Sequence, residues 1–287
     1  MKDLKELINF CYKKYIFGIN CPLLDAESKK YKAIYGIDEN PIQYRSRMNE
    51  ERGKFIADAF ESMEHSPYDY FTKAAYDQLV QEVIQQYEYV RREIKIDIEP
   101  YEGNHEPYKN SKEMLKDIFD RHHLYFFKTT IAFGEGTVYK DNPMLQGTGL
   151  KVKGEELLIN DMFRIIHDIF GHAMKGFGFG PLGEDRAWFE HSKMFSPLAV
   201  AAITTETRGQ NCWVNYGRHL RKANGAILKQ SEPGWVPPQN RPFADQKVGI
   251  LPSEISGVEL YVDGNEVKGK NLDNWSPEVE NLLILNP

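Results

Sequence analysis

Between Asn160 and Lys175 the chain reads NDMFRIIHDIFGHAMK. Two histidines, His167 and His172, and an acid, Asp168, sit in a run that is otherwise apolar and helical in pattern. On a regular α-helix of about 3.6 residues per turn, side chains five apart diverge by roughly 140°. His167 then shares a face with Phe163, Phe170 and Met174, and His172 with Ile165 and Ile169. Both imidazoles reach one point only if the helix opens between them, and Gly171 stands where an opening is easiest. The spacing also argues against the zinc-protease helix, in which the histidines are four apart and the first is followed by glutamate.

A second run predicts a helix that starts with Ser196 as cap and Pro197 at its first position. Its stripe is Leu198, Ala199, Ala202, Ile203 and Glu206. A carboxylate on an apolar stripe needs an ion pair, hydrogen bonds or a metal. Arg208 offers the ion pair. A metal shared with His167 and His172 serves as well, and the small alanines leave room for it.

Two imidazoles and one carboxylate with other positions open suit non-heme iron(II) and catalytic zinc. A zinc hydrolase would use Asp168 or Glu190 as base. A third reading makes both histidines hydrogen-bonded core residues of a non-enzymatic interaction protein.

The pattern His167-Asp-Ile-Phe-Gly171-His172, followed by Thr205-Glu206-Thr207, resembles the iron site of the pterin-dependent aromatic amino acid hydroxylases. That family carries His-Glu-Leu-Leu-Gly-His and a later glutamate. The resemblance covers about 45 residues and implies that His167, His172 and Glu206 are iron(II) ligands. It places Asp168 where the family has a glutamate near the pterin. It further implies O2 and a tetrahydropterin or other reductant as cosubstrates, and hydroxylation of a small, aromatic or anionic substrate. The expectation is therefore an iron-dependent monooxygenase, with zinc as the alternative metal.

Arg208, Gln210, Asn211, Trp213, Asn215 and Tyr216 interleave polar groups with aromatics and suit a pocket wall, with Arg208 placed to meet an anionic group. An ordinary capped loop is the other reading. His191, beside Glu190, is a spare ligand candidate. The glycines between Gly176 and Gly183 lack the lead-in strand and Gly-Lys-Ser/Thr of a phosphate loop, and suit a connector or site wall.

The net charge of -6 argues against non-specific nucleic-acid binding. Cys11, Cys21 and Cys212 form no C-x-x-C pair, which suits a reducing, cytoplasmic setting. The charged start and the short apolar runs predict neither a leader nor a membrane span.

The fold expected is α+β, predominantly helical, with a few short strands and hairpins and long loops around the site. Its parts are a helical stretch at 1–109, a metal-site core at 110–257 and a hairpin and tail at 258–287, within one compact domain. Helices are expected at 3–16, 49–63, 70–92, 110–122, from Asn160 as cap, at 184–195 and at 197–207. Strands are expected at 94–98 and 124–127, with hairpins around Lys153-Gly154 and Asp263-Gly264. Residues 18–45, 133–152 and 209–257 read as irregular.

Overall fold

The computed structural model describes residues 21–38, 49–103, 105–132, 139–273 and 275. The helix expected at 3–16 lies outside the described residues. The fold is α+β and predominantly helical, with strands only in two-stranded pairs among the described residues. The chain divides into two units, one formed by 1–40, 80–132 and 143–195, the other by 41–79, 133–142 and 196–287.

In the first unit, helix α1 (Pro22–Tyr35) occupies part of a stretch expected to be irregular. Pro22 starts it, where a missing N–H costs nothing, and Gly36 ends it in the left-handed region at φ 66°. Pro22 and Gly36, which read as breaks in an irregular stretch, are the two ends of this helix. The long helix α2 (Tyr70–Tyr89) passes into this unit at Val80 and continues as a π turn, Val90–Ile94. Lys95 donates its N–H to the Val90 carbonyl five residues back, so the alternating Ile94–Ile98 run is not a strand throughout. Strand β1 (Asp97–Pro100) begins later and runs through Pro100.

Helix α3 (Ser111–Arg121) connects β1 to the parallel strand β2 (His123–Phe126). Asn110 caps it as expected, its Oδ1 accepting from Lys112 N and Glu113 N. Strands β3 (Gly147–Val152) and β4 (Glu155–Leu158) make the hairpin at Lys153-Gly154, both turn residues having positive φ. β3 starts within the stretch expected to be loop.

Helix α4 (Ile159–Ile166) follows directly. Its cap is not Asn160, which is already helical and donates to Thr129 Oγ1. Asp161 reaches back to accept the Leu158 N–H through Oδ2, and takes the Thr129 N–H on Oδ1. A π segment, His167–Ala173, continues α4, and helix α5 (Pro181–Ser192) packs on it. Around these lie the buried Tyr31, Val83, Met114, Leu124, Ile165, Ile169, Phe170 and Trp188.

In the second unit, helix α6 (Glu50–Ser62) has its expected cap, Asn49 Oδ1 accepting from Arg52 N. Helix α7 (Pro197–Thr204) starts at the Ser196 cap with Pro197 in first position, and a π turn, Thr205–Gly209, follows. The chain then remains helical as α8 (Gln210–Tyr216), inside the stretch expected to be loop. Seven residues are too few for an apolar period to show. Ile56, Ala57, Phe60, Cys212, Leu251 and Ile255 form the core where α6 meets α8. The C-terminal hairpin, β5 (Val258–Asp263) and β6 (Glu266–Asn271), turns at Gly264-Asn265, one residue later than expected. No helix among the described residues is long and apolar enough to cross a membrane.

Candidate metal centre

The opening that the histidine spacing demands is a π segment. Met174 N bonds to Ile169 O and Phe177 N to His172 O, each five residues apart. An i→i+5 turn brings residues five apart onto nearly one face, where an α turn separates them. The two imidazoles stand edge to face with centroids 5.0 Å apart. Gly171 contributes space rather than an unusual backbone angle. A Cβ there would stand 3.0 Å from Cε1 and Nδ1 of His167 and 3.2 Å from the Ala187 carbonyl oxygen.

The acid beside the histidines is Glu184, in the first turn of α5. Its Oε2 lies 3.3 Å from His172 Nε2 and 3.8 Å from His167 Nε2. The ligand atoms of His167, His172 and Glu184 all lie within 4.8 Å of one another. The glycine-rich connector puts Glu184 there. Gly183 crosses Gly178 so closely that a Cβ on Gly183 would meet the Gly178 carbonyl oxygen at 1.8 Å. The connector is thus a wall of the site, and Phe179 sets its ring edge-on to His172 at 5.0 Å.

His172 is 2% exposed, and its Nδ1 lies 3.2 Å from the Phe177 carbonyl oxygen, an acceptor. Nδ1 therefore carries the proton, and Nε2 faces Glu184. Burial by itself would push the His172 imidazolium down, but the Glu184 charge overrides it and the pKa rises to about 9. Burial by itself would raise Glu184, yet the two histidines pull it well below the usual carboxylate range. In the metal-free centre His172 and Glu184 form an imidazolium–carboxylate pair, and a cation would take the place of the His172 proton. His167 goes the other way: burial lowers it and favours the neutral ring a metal needs. Asp168, next in the chain, is raised to about 7 by burial, against the pull of His172 and Arg164. The donor set, its charge and its geometry fit a divalent cation.

Glu206, the acid expected from the sequence, has its own partners within the second unit. Tyr76 Oη donates to its Oε1 at 2.5 Å and Gln210 Nε2 to its Oε2 at 3.0 Å. Burial lifts it to about 7. Arg208, suggested as its partner, is fully buried and donates from Nη1 to the Ile255 carbonyl at 2.6 Å. Asn211 accepts from Asn215 through its carbonyl and its Oδ1, and Asn215 in turn accepts from Arg241. Trp213 donates to Glu61 and packs on His219, and the Tyr216 ring lies over Gly53.

His191 lies near the centre but not in the ligand group. Its Nδ1 is 3.1 Å from His167 Nδ1. Glu184, Ala187 and His191 form one stripe on α5, at positions i, i+3 and i+7. Gly171 packs on Ala187, with Glu184 and His191 one turn to either side. That stripe was the available signal for both residues. No family model matches the chain, and neither a curated protein nor a solved structure does.

Proposed function

We propose that His167, His172 and Glu184 hold iron(II) and that the chain is a non-heme iron monooxygenase acting on a small organic substrate. One observation carries this reading: two imidazole nitrogens and a carboxylate oxygen, drawn from two packed elements, converge within 4.8 Å. The donor types are those of the two-histidine, one-carboxylate iron centre, and the order His167-x4-His172 supports iron through its resemblance to the pterin-dependent hydroxylases.

When bound by His167, His172 and Glu184, iron(II) would supply the redox chemistry of O2 reduction. The overall reaction inserts one oxygen atom into a substrate C–H bond and releases the other as water. It takes two electrons and two protons from a reductant of the tetrahydropterin type. The chain's own part is local. Phe177 holds His172 by its Nδ1–H, so that Nε2 faces the ion. Glu184 supplies the anionic ligand. Asp168, poised at about 7, exchanges a proton with a bound water or cosubstrate near neutrality. Phe179, 39% exposed, offers an apolar wall that favours an aromatic or apolar substrate over a sugar or phosphate.

Elemental analysis of protein made with ample iron tests the reading, together with O2 uptake across aromatic substrates and reduced pterin. About one iron per chain is expected, lost in His167→Ala, His172→Ala and Glu184→Ala and kept in Glu206→Gln. Zinc alone, with hydrolase activity and no O2 uptake, would replace this reading with a hydrolase. Iron retained by Glu184→Ala would remove the proposed third ligand.

A further inference from the structure

We infer that Gln86 and His191 are positioning residues that fix the tautomer of His167, so that its Nε2 is presented bare to the metal. This rests on the metal reading for its purpose, but the hydrogen-bond chain stands on geometry alone. Gln86 and His191 are both fully buried.

The chain has one consistent set of proton positions. Gln86 Nε2 lies 3.0 Å from the Met194 carbonyl oxygen. Only the amide nitrogen satisfies that contact, because the opposite orientation would set two acceptor oxygens against each other. Gln86 Oε1 is thereby aimed at His191 Nε2, 2.9 Å away, and can only accept. His191 Nε2 therefore carries a proton. His191 is fully buried against the rings of Phe163, Phe170 and Phe195, an apolar setting that holds the ring neutral with one proton, so its Nδ1 is a bare acceptor. At 3.1 Å from it, His167 Nδ1 must donate. One lone pair remains on His167, at Nε2, on the side that faces Glu184.

The orientation starts at a main-chain carbonyl and passes through an amide and an imidazole to the ligand. His172 is oriented in one step, its Nδ1–H given to the Phe177 carbonyl. A metal-bound histidine commonly donates its other N–H in this way, and losing the partner typically costs about 10- to 100-fold in affinity. The arrangement also gives His191 a role other than ligand: its Nδ1 is committed to His167 and its Nε2 to Gln86.

Two measurements test this. The first reads 15N shifts and one-bond couplings of the imidazoles in metal-free protein labelled at histidine. His167 should carry its proton on Nδ1 and His191 on Nε2, and Gln86→Met should redistribute both. His167 protonated on Nε2 in the native chain, or spectra unchanged by Gln86→Met, would overturn the inference whether or not the protein binds metal.

The second titrates cobalt(II) into the native protein, His191→Leu and His191→Asn. The leucine variant should bind about 10- to 100-fold more weakly. In the asparagine variant the side-chain oxygen takes the place of Nδ1 as acceptor. It should recover most of the loss, with an unchanged ligand-field spectrum. A folded leucine variant with native affinity, or an asparagine variant whose spectrum reports a lost ligand, would overturn the positioning role. A native protein that takes up no cobalt would sink the metal reading, leaving the tautomer to the first measurement.

Discussion

Gly171 and His167 are in contact through the absence of a side chain. The space a Cβ would take at Gly171 is filled by Cε1 and Nδ1 of the imidazole four residues earlier. On its other side the same space meets the Ala187 carbonyl of α5, which is backbone and cannot swing aside. Gly171→Ala should therefore shift the His167 ring and press α5 outward. A cost of about 1–3 kcal/mol is expected from overpacking, read by thermal or urea unfolding. Cobalt(II) affinity should fall by more than the stability loss alone explains.

Gly183 is placed under a harder restraint. At 1.8 Å from the Gly178 carbonyl oxygen, a Cβ on Gly183 forces the connector to move, and Glu184 is the next residue. Gly183→Ala should lose metal while Gly180→Ala, where nothing stands within 4 Å, keeps it. Equal metal binding by the two variants would show that the connector does not position Glu184.

Metal binding should be steeply dependent on pH. In the metal-free centre His172 stays protonated up to about 9, because the Glu184 charge outweighs burial. The metal must displace that proton, so affinity should rise by about tenfold per pH unit between pH 6.5 and 8.5 if one proton leaves. In Glu184→Gln the partner charge is gone and the slope should flatten in that range, along with the weaker binding. Isothermal titration in buffers of different ionisation enthalpy counts the proton directly.

Glu206 should make the protein less stable as pH rises. Burial lifts its pKa from 4.5 to about 7, against the hydrogen bonds from Tyr76 and Gln210 that lower it. A raised carboxyl pKa means that the folded state holds the proton more tightly. The contribution is fully present below pH 4.5 and is lost as pH rises through about 7. Over that window the metal-free protein should lose about 2–3 kcal/mol through this group. Glu206→Gln should flatten the profile, as denaturant midpoints between pH 4.5 and 8 will show.

Much of the candidate centre was legible from local pattern. Five-residue spacing in an apolar helical run required an opened turn, and the π segment His167–Ala173 is that turn. The Asn110 cap and the Ser196-Pro197 start were equally local and are present. Where local reading failed, a residue had two possible roles. Pro22 and Gly36 punctuate a loop or bound a helix, and they bound α1. Asn160 and Asp161 both have side chains that cap helices, and contact with Thr129 assigned the task to Asp161.

The sequence by itself determined that the two imidazoles could face one point only through an opened turn, because the angle between residues on a regular helix depends only on their separation. It could not choose the acid. Glu184 and Glu206 both ride on apolar stripes, and a stripe reports burial without saying what lies across from it. Tertiary contacts within each unit give each of them its partners. The Gly178–Gly183 crossing turns α5 back onto the π segment and delivers Glu184 to the histidines. Tyr76, 130 residues before Glu206, takes up the other carboxylate. Gln86, 105 residues before His191, sets the proton on the ring that orients His167. Such pairings depend on which elements pack together, a property that no local period carries.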